Sequence, residues 1–293
     1  MKILLTGSKG QVGFELNKKL SALGEVIATD REELDLTNPD AIKKFIDQTK
    51  PDIIINPAAY TAVDKAESES DLAYLINVTA PEILAGKARE LDIPLIHFST
   101  DYVFDGVKKE AYVETDKTNP QSVYGKTKCE GEEKIRTHAK HIILRTSWVF
   151  GSHGNNFLKT MLRLIQEKES LNIVGDQWGS PASSSMLGDV TFKIVDTIIK
   201  NKNFSDYGTY HVTSDGETNW HAYASLISSE AMKLNLKVTC APDKIHPILT
   251  SEYPTAAKRP SNSRLNTDKL KKTFMLELPH WELEVKKVLK EII

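Results

Sequence analysis

The chain lacks the features that mark several specialised classes of protein. It has only two cysteines, Cys129 and Cys240, which are too few for a disulfide framework and show no metal-ligand spacing. No apolar stretch approaches the ~20 residues of a membrane-spanning helix, and a net charge of −2 gives no general attraction to nucleic acid or anionic lipid. We therefore predict a cytoplasmic protein with no nucleic-acid partner, no membrane partner and no required metal.

The shares of apolar and charged residues, 40% and 27%, are those of an ordinary globular protein. In residues 1–150, short apolar runs alternate with longer amphipathic stretches. This alternation predicts an α/β fold with a Rossmann-type, doubly wound parallel sheet, covered on both faces by helices. The predicted strands are 2–5, 26–28, 53–56, 95–98 and 142–145, and the predicted helices lie near 11–23, 39–49, 72–91 and 122–137.

The pattern changes after residue 150. Helices are predicted near 155–167, 186–199 and 220–234 and from 268 onward, with strands at 171–174 and 208–212. Residues 241–263 contain four prolines and are predicted to be irregular. We interpret 1–150 as a dinucleotide-binding domain and 151–293 as a smaller carboxy-terminal lobe that mainly binds substrate, with crossovers back to the first domain allowed.

A glycine-rich loop joins the first predicted strand to the first predicted helix. Gly7, Gly10 and Gly13 would permit a tight turn, close approach of a pyrophosphate and close helix–strand contact. Gln11 and Val12 begin the helix, whose amino terminus favours a bound anion. The spacing departs from Gly-x-Gly-x-x-Gly, and a turn without a ligand is the alternative. We predict a dinucleotide site at these five residues.

The end of the second predicted strand gives opposing signals about the coenzyme. Asp30 could bind the ribose hydroxyls of NADH, whereas Arg31 could pair with the 2′-phosphate of NADPH. Asp35 and Leu36 could lie near the adenine, although a helix-capping role for Asp35 is the simpler interpretation. The coenzyme is therefore predicted to be NADPH or NADH, with the choice between them open.

Two further segments could carry out chemistry on a carbonyl group. Tyr124 and Lys128 lie one helical turn apart, so the lysine would lower the pKa of the phenol and could hold the nicotinamide ribose. Ser99, Thr100 and Asp101 follow a predicted strand, at the edge where open α/β sheets bind ligands. Each segment alone has a simpler explanation. Tyr124 and Lys128 could be a surface pair on a helix, and Ser99, Thr100 and Asp101 could form a turn. Their combination with the glycine loop on one chain favours an active site.

These segments resemble the extended short-chain dehydrogenase/reductase family, in particular the branch that reduces dTDP-4-dehydrorhamnose. The resemblance covers almost the full chain and is most specific in its later segments. It rests on residues 7–13, 56–67, 99–104, 124–128, 145–150, 154–157, 176–181 and 259–264. It implies reduction of the C4 ketone of dTDP-4-dehydro-β-L-rhamnose to dTDP-β-L-rhamnose, a step in the synthesis of cell-surface polysaccharide.

The resemblance also implies roles for single residues. Tyr124 would protonate the developing alkoxide, Thr100 would polarise the carbonyl, and Lys128 would adjust the tyrosine, which makes these three the catalytic residues. The substrate-binding residues would be Thr100, Asp101, Tyr124, Trp148 and Arg259. The further coenzyme contacts would be Ala58, Ala59, Tyr60, Asn77, Ser99, Tyr124 and Lys128. Of the substrate contacts, Arg259 would neutralise the diphosphate.

Several alternatives stay open. A dehydratase of this family would need a glutamate after Asp101, and Tyr102 stands there, which argues against dehydration. Another nucleotide-sugar reductase or an epimerase could use the same hydroxyl, tyrosine and lysine. A non-catalytic NADP-binding regulatory subunit, similar to the β subunit of methionine adenosyltransferase, is a further alternative. The chain could be a monomer or a homodimer.

Overall fold

The computed structural model describes all residues 1–293. Numbered along the chain, its strands are Lys2–Leu5 (β1), Glu25–Ala28 (β2), Ile53–Asn56 (β3), Leu95–Thr100 (β4), His141–Thr146 (β5), Val149–Phe150 (β6), Leu171–Val174 (β7), Trp178–Gly179 (β8), Ala182–Ser183 (β9), Gly208–His211 (β10), Thr218–Asn219 (β11) and Ile245–Ile248 (β12). Its α-helices are Gln11–Leu20 (α1), Pro39–Thr49 (α2), Val63–Ala66 (α3), Ser70–Tyr74 (α4), Ala80–Glu90 (α5), Val123–Arg136 (α6), Phe157–Glu167 (α7), Ser184–Lys200 (α8), Trp220–Lys233 (α9), Asp268–Phe274 (α10) and Trp281–Ile292 (α11).

Six of the strands form one parallel sheet in the order β10-β5-β4-β3-β1-β2. Because β2 lies on one side of β1 and β3 on the other, the chain reverses its direction across the sheet at β1. The predicted Rossmann-type, doubly wound sheet is thereby confirmed. The sixth strand, β10, pairs with β5, so the chain crosses back from the carboxy-terminal half to complete the sheet.

Helices cover both faces of this sheet because the side chains of each strand alternate between two buried cores. Leu4 of β1 joins one core with α2 and α5, whereas its neighbours Ile3 and Leu5 join the other with α1 and α8. Ile54 of β3 and Ile143 of β5 point to the same side as Leu4. The continuous apolar runs of the sequence are therefore those of strands buried on both faces.

The smaller lobe has a separate core, built largely from α7, α9 and α11. Leu158, Ile227 and Val288 are among its buried side chains, one from each of these helices. Helices α8 and α10 pack instead against the main sheet, so residues 151–293 are shared between the two lobes. None of the helices is both long enough and apolar enough to cross a membrane.

Several predictions of secondary structure were wrong in detail. Strand β4 continues to Thr100, because its pairing with β5 extends to Thr146. Residues 245–248, predicted to be irregular, form β12 and pair with β7; Pro247 lies within this strand, which a two-stranded sheet tolerates. The predicted last helix is two helices, because Met275 adopts a left-handed φ of 51° that ends α10.

The predicted helix 72–91 is interrupted by a π-helical turn, Leu75–Thr79, between α4 and α5. The i→i+5 bonding of such a turn shifts side chains out of the α-helical repeat. Asn77 of this turn is fully buried, where it accepts a hydrogen bond from the backbone N–H of Tyr60 at 2.9 Å and donates to Oγ1 of Thr127 at 3.1 Å. Asn77 thereby connects the loop after β3 to α6.

A buried ion pair fastens α6 to the sheet. Arg145 of β5 donates from Nε at 2.8 Å and from Nη2 at 2.6 Å to the two carboxylate oxygens of Glu132, and both side chains are at most 1% exposed. Ser99 of β4 donates to the same carboxylate at 2.6 Å. Burial acts to raise the pKa of Glu132, but Arg145, together with Ser99 and Arg136, outweighs it and holds that pKa below its ordinary value. These bonds thus attach α6 to the sheet at a point one helical turn after Lys128.

We expect Glu132→Ala to reduce the free energy of unfolding by about 3–5 kcal/mol, because Arg145 would be left as a buried, unpaired charge. The matched control is Glu133→Ala, on the exposed side of the same turn, which should cost less than about 0.5 kcal/mol. Urea unfolding followed by circular dichroism measures both values. Equal stability of the two variants would show that this ion pair does not hold α6 in place.

Candidate active site

One cleft of about 780 Å³ runs along the carboxyl ends of β1–β5, the edge at which open α/β sheets bind ligands. Each of these strands contributes residues at or just beyond its end. All the predicted site residues except Asn77 and Arg259 line this cleft. Those that do are Gly7, Gly10, Gln11, Val12, Gly13, Asp30, Arg31, Asp35, Leu36, Ala58, Ala59, Tyr60, Ser99, Thr100, Asp101, Tyr124, Lys128 and Trp148.

The glycine loop leaves space and backbone donors for an anion. Gly7 has a φ of +60°, and a Cβ on Gly13 would lie 2.0 Å from the carbonyl oxygen of Gly7, so neither position accepts a side chain. Helix α1 begins after Gly10 with no side-chain cap, whereas α2, α6, α7, α8 and α9 each have one. The first backbone N–H groups of α1 therefore have no side-chain partner, the arrangement that binds a pyrophosphate. These residues fit a dinucleotide coenzyme.

Lys9, which the sequence interpretation overlooked, lies beside the predicted adenosine contacts. Its ammonium pairs with the carboxylate of Asp30 and, at 3.3 Å, with that of Glu32. The hydrogen bond from Lys9 is the main reason that the pKa of Asp30 falls to about 2. Arg31 lines the same end of the cleft, which therefore has two positive side chains next to its acidic ones. The position of Lys9 between two motif glycines was a signal that could have identified it.

The side chain of Lys128 is buried, and its ammonium is bound by the sheet. The Nζ atom donates to the backbone carbonyl of Phe98 at 2.7 Å and lies 3.1 Å from Nε2 of His97. Burial lowers the pKa of Lys128 to about 8 and holds the pKa of His97 well below its ordinary value, so that the imidazole is neutral. Asn56 lies 3.0 Å from the other ring nitrogen of His97. No local sequence signal connects His97 to Lys128.

Burial raises the pKa of Tyr124 above its ordinary value, which contradicts the predicted lowering by Lys128. The physical reason is that the phenol is desolvated, while the ammonium is engaged by the carbonyl of Phe98. A hydrogen bond with the hydroxyl of Thr100 acts in the opposite direction and is the smaller effect. Tyr124 is therefore protonated at neutral pH, the form that can donate a proton.

Trp148 lines the cleft in an uncommon backbone conformation. Its φ of 49° lies in the left-handed region, which a large side chain rarely adopts unless its surroundings hold it there. Its indole stacks on Trp220 with ring centroids 3.6 Å apart, and a Cβ on Gly179 would lie 2.7 Å from the same indole. Trp220 also lines the cleft and donates to Gln177 at 3.1 Å. Trp220 was missed because it is distant from every motif in sequence.

Two predicted residues do not line the cleft. Arg259 donates to the hydroxyl of Tyr102 at 3.2 Å and forms an ion pair with Asp64, so its charge is already shared with a carboxylate. Asn77 lies behind the cleft wall, where it holds the backbone of Tyr60. The structure therefore brings the predicted coenzyme and proton-donor residues together, but it leaves the predicted diphosphate contact engaged elsewhere.

The carboxylates of Asp30, Glu32 and Glu33 lie within 4.8 Å of one another. Lys9 supplies a positive charge to two of them, Asp30 and Glu32. Acidic groups this close are common on protein surfaces without an ion. The prediction that no metal is required stays a prediction.

Comparisons with known proteins give the same result, and each covers the whole or nearly the whole chain. The family model for the RmlD substrate binding domain matches residues 1–293. The dTDP-4-dehydrorhamnose reductase of Salmonella typhimurium is 44% identical over 297 residues, which cover 100% of this chain and 98% of that protein. The crystal structure of a dTDP-4-dehydrorhamnose reductase from Clostridium acetobutylicum has a TM-score of 0.91 at 40% identity, with coverage of 100% and 99%.

The structure of dTDP-4-dehydrorhamnose reductase from Bacillus anthracis, in complex with NADP, has a TM-score of 0.89 at 36% identity and covers 99% of both chains. Family match, sequence identity and fold therefore agree across residues 1–293. The chain belongs to the dTDP-4-dehydrorhamnose reductase family.

Proposed function

We propose that the chain reduces the C4 ketone of dTDP-4-dehydro-β-L-rhamnose to the alcohol of dTDP-β-L-rhamnose, with NADPH or NADH as coenzyme, in the cytoplasm. The observation that carries this proposal is a buried, protonated phenol facing a threonine hydroxyl in the same cleft as an uncapped helix amino terminus. The identity of the sugar is supported by relatives that bear the name of this reductase and match the whole chain.

The coenzyme would extend along the strand ends. The backbone of Gly10, Gln11 and Val12 would bind its pyrophosphate, and Asp30 and Arg31 would lie at its adenosine. When bound, the reduced nicotinamide supplies the hydride that the ketone carbon requires. The NADP found in the Bacillus anthracis relative supports the use of this cleft. The remaining coenzyme contacts would be Gly7, Gly13, Asp35, Leu36, Ala58, Ala59, Tyr60, Ser99 and Lys128, with Asn77 supporting the backbone of Tyr60.

Tyr124 would donate its phenolic proton to the oxygen at C4 as that oxygen gains negative charge. Its burial keeps the phenol protonated until then, and Thr100 would hydrogen-bond the same oxygen. Lys128 would bind ribose hydroxyls, and its positive charge would favour the phenolate that remains after proton transfer. The bonds from Lys128 to Phe98 and His97 would keep the ammonium in position during this step.

We infer that residues 151–293 mainly bind the sugar nucleotide. The stacked pair of Trp148 and Trp220 offers an aromatic face to the sugar or the thymine. Asp101 also lines the cleft, where its Oδ1 atom accepts a hydrogen bond from Thr100. Arg259 could reach the diphosphate only after releasing Asp64, so we expect a smaller contribution from it than from an unpaired arginine.

The alternatives are less well supported. A regulatory subunit would have no need of a phenol, a hydroxyl and a lysine together in one cleft. An epimerase could use these three groups, but the relatives that are 44% identical over the full chain are named as dTDP-4-dehydrorhamnose reductases.

A coupled assay tests the proposal. It contains dTDP-4-dehydro-6-deoxyglucose, a separate 3,5-epimerase, this protein and either NADPH or NADH, and it follows the absorbance of the reduced nicotinamide. We expect oxidation that requires the epimerase and yields dTDP-rhamnose, identified by mass spectrometry. Oxidation without the epimerase would indicate a different nucleotide-sugar reductase. No oxidation by a protein that still binds coenzyme would favour the regulatory alternative.

We expect Tyr124→Phe to lower kcat by about 10²–10⁴-fold, because only the proton donor is removed. The dissociation constant of the coenzyme, measured by fluorescence quenching, should change little. Tyr74→Phe, at an exposed tyrosine of α4, is the matched control and should keep full activity. A Tyr124→Phe variant that retained most of its turnover would assign the proton to another group.

We expect Lys9→Ala to shift the ratio of the NADPH and NADH dissociation constants toward NADH by about tenfold, which corresponds to ~1.4 kcal/mol. Without the ammonium, Asp30 would repel a 2′-phosphate and would be free to accept hydrogen bonds from ribose hydroxyls. Fluorescence titration measures both constants without turnover. Lys18→Ala, an exposed lysine in the last turn of α1, should leave the ratio unchanged. An unchanged ratio in Lys9→Ala would place the 2′-phosphate elsewhere.

A further inference from the structure

The hydroxyl of Thr100 has two polar neighbours at hydrogen-bond distance. It lies 3.0 Å from Oδ1 of Asp101 and 3.2 Å from the backbone nitrogen of Tyr102, and the phenol of Tyr124 lines the same cleft. A threonine hydroxyl has one hydrogen to donate and two lone pairs with which to accept. The N–H of Tyr102 can only donate, so it occupies one lone pair. One hydrogen and one lone pair remain for the other partners.

The ionisation state of Asp101 decides where the remaining hydrogen points. A carboxylate can only accept, and a hydrogen bond to a charged acceptor is stronger than one to a neutral acceptor, so the ionised form takes the hydrogen of Thr100. A protonated carboxyl can donate its own hydrogen to the second lone pair of Thr100. The hydroxyl then accepts from both Asp101 and Tyr102, and its hydrogen is free to turn toward the cleft.

We propose that Asp101 is a positioning residue that controls Thr100: in its protonated form it frees the threonine hydrogen for the carbonyl oxygen of the bound sugar, and in its ionised form it withholds that hydrogen. This inference rests on the proposed function in one respect, namely that the acceptor in the cleft is a substrate carbonyl. The hydrogen-bond geometry among Thr100, Asp101 and Tyr102 does not depend on the substrate.

The surroundings of Asp101 make both of its states available. The residue is 4% exposed, and its Oδ2 atom is buried with no hydrogen-bond partner. Burial raises the pKa of Asp101 to about 6, and the hydroxyls of Ser263 and Thr100 act in the opposite direction. The titratable groups that face it are the phenols of Tyr102, next in the chain, and of Tyr124 on α6. Tyr102 in turn accepts a hydrogen bond from Arg259, whose charge is paired with that of Asp64.

The sign of the pH dependence follows from these states. The protonated carboxyl is present below a pH of about 6 and is lost as the pH rises through that value. We therefore expect the single-turnover rate of coenzyme oxidation to fall about fivefold between pH 5 and pH 7, a range in which Lys128, with its pKa of about 8, keeps its charge. The rate should not fall to zero, because Tyr124 stays protonated throughout this range.

The first arm of the experiment compares pH profiles of the single-turnover rate. Asp101→Asn cannot ionise and can donate permanently from its amide to Thr100, so its rate should be independent of pH between pH 5 and pH 7. The matched control is Asp71→Asn, an exposed aspartate of α4, which should keep the original profile. An Asp101→Asn variant that still loses rate with rising pH, or that is slow at every pH, would overturn the proposal.

The second arm requires no substrate. Carbon-13 NMR of aspartate-labelled protein follows the carboxyl of Asp101, which is assigned by its absence in Asp101→Asn. We expect it to titrate near pH 6 and to titrate at higher pH in Thr100→Val, because the hydrogen bond from Thr100 stabilises the ionised form. An unshifted titration in Thr100→Val would overturn the proposal. Absence of turnover at every pH would refute the proposed function alone, since the NMR result would still decide whether Asp101 controls Thr100.

Discussion

The buried pair of Glu132 and Arg145 is the interaction on which the geometry of the cleft depends. Helix α6 carries both Tyr124 and Lys128, yet its own sequence does not determine how it is rotated against the sheet. The carboxylate lies one turn beyond Lys128 and receives hydrogen bonds from β4 and β5 at 2.6–2.8 Å. Because unpairing a buried charge is costly, the helix cannot rotate without losing these bonds. The same pair therefore sets how Tyr124 faces Thr100.

Burial shifts the pKa values of the ionisable groups of the cleft in opposite directions. It lowers the pKa of Lys128 to about 8 and raises that of Asp101 to about 6, because desolvation disfavours the charged form of each. It also raises the pKa of Tyr124, which keeps the phenol protonated. One cleft thus combines a protonated phenol with two groups whose charge can change near neutral pH. That combination suits a reaction in which a sugar oxygen gains a proton.

Much of the sheet could be predicted because its strands are buried on both faces and read as continuous apolar runs, as in the three isoleucines that begin β3. The glycine loop and the spacing of Tyr124 and Lys128 are also patterns of neighbouring residues, so they too could be predicted. The π turn at Asn77 was not predictable, because it depends on hydrogen bonds to Tyr60 and to α6. Strand β12 escaped detection because a proline lies in a strand that only its pairing with β7 defines.

The sequence by itself determined the fold class and most of the residues that line the cleft, since motifs and periodicity are properties of neighbouring residues. Only the tertiary structure decided the partners of those residues. Lys128 meets Phe98 and His97, Trp148 stacks on Trp220, and Arg259 pairs with Asp64. These contacts join residues far apart in the chain, and the accompanying changes in pKa depend on desolvation. Neither distance in space nor exposure to water is encoded in any local pattern, so both had to come from the fold.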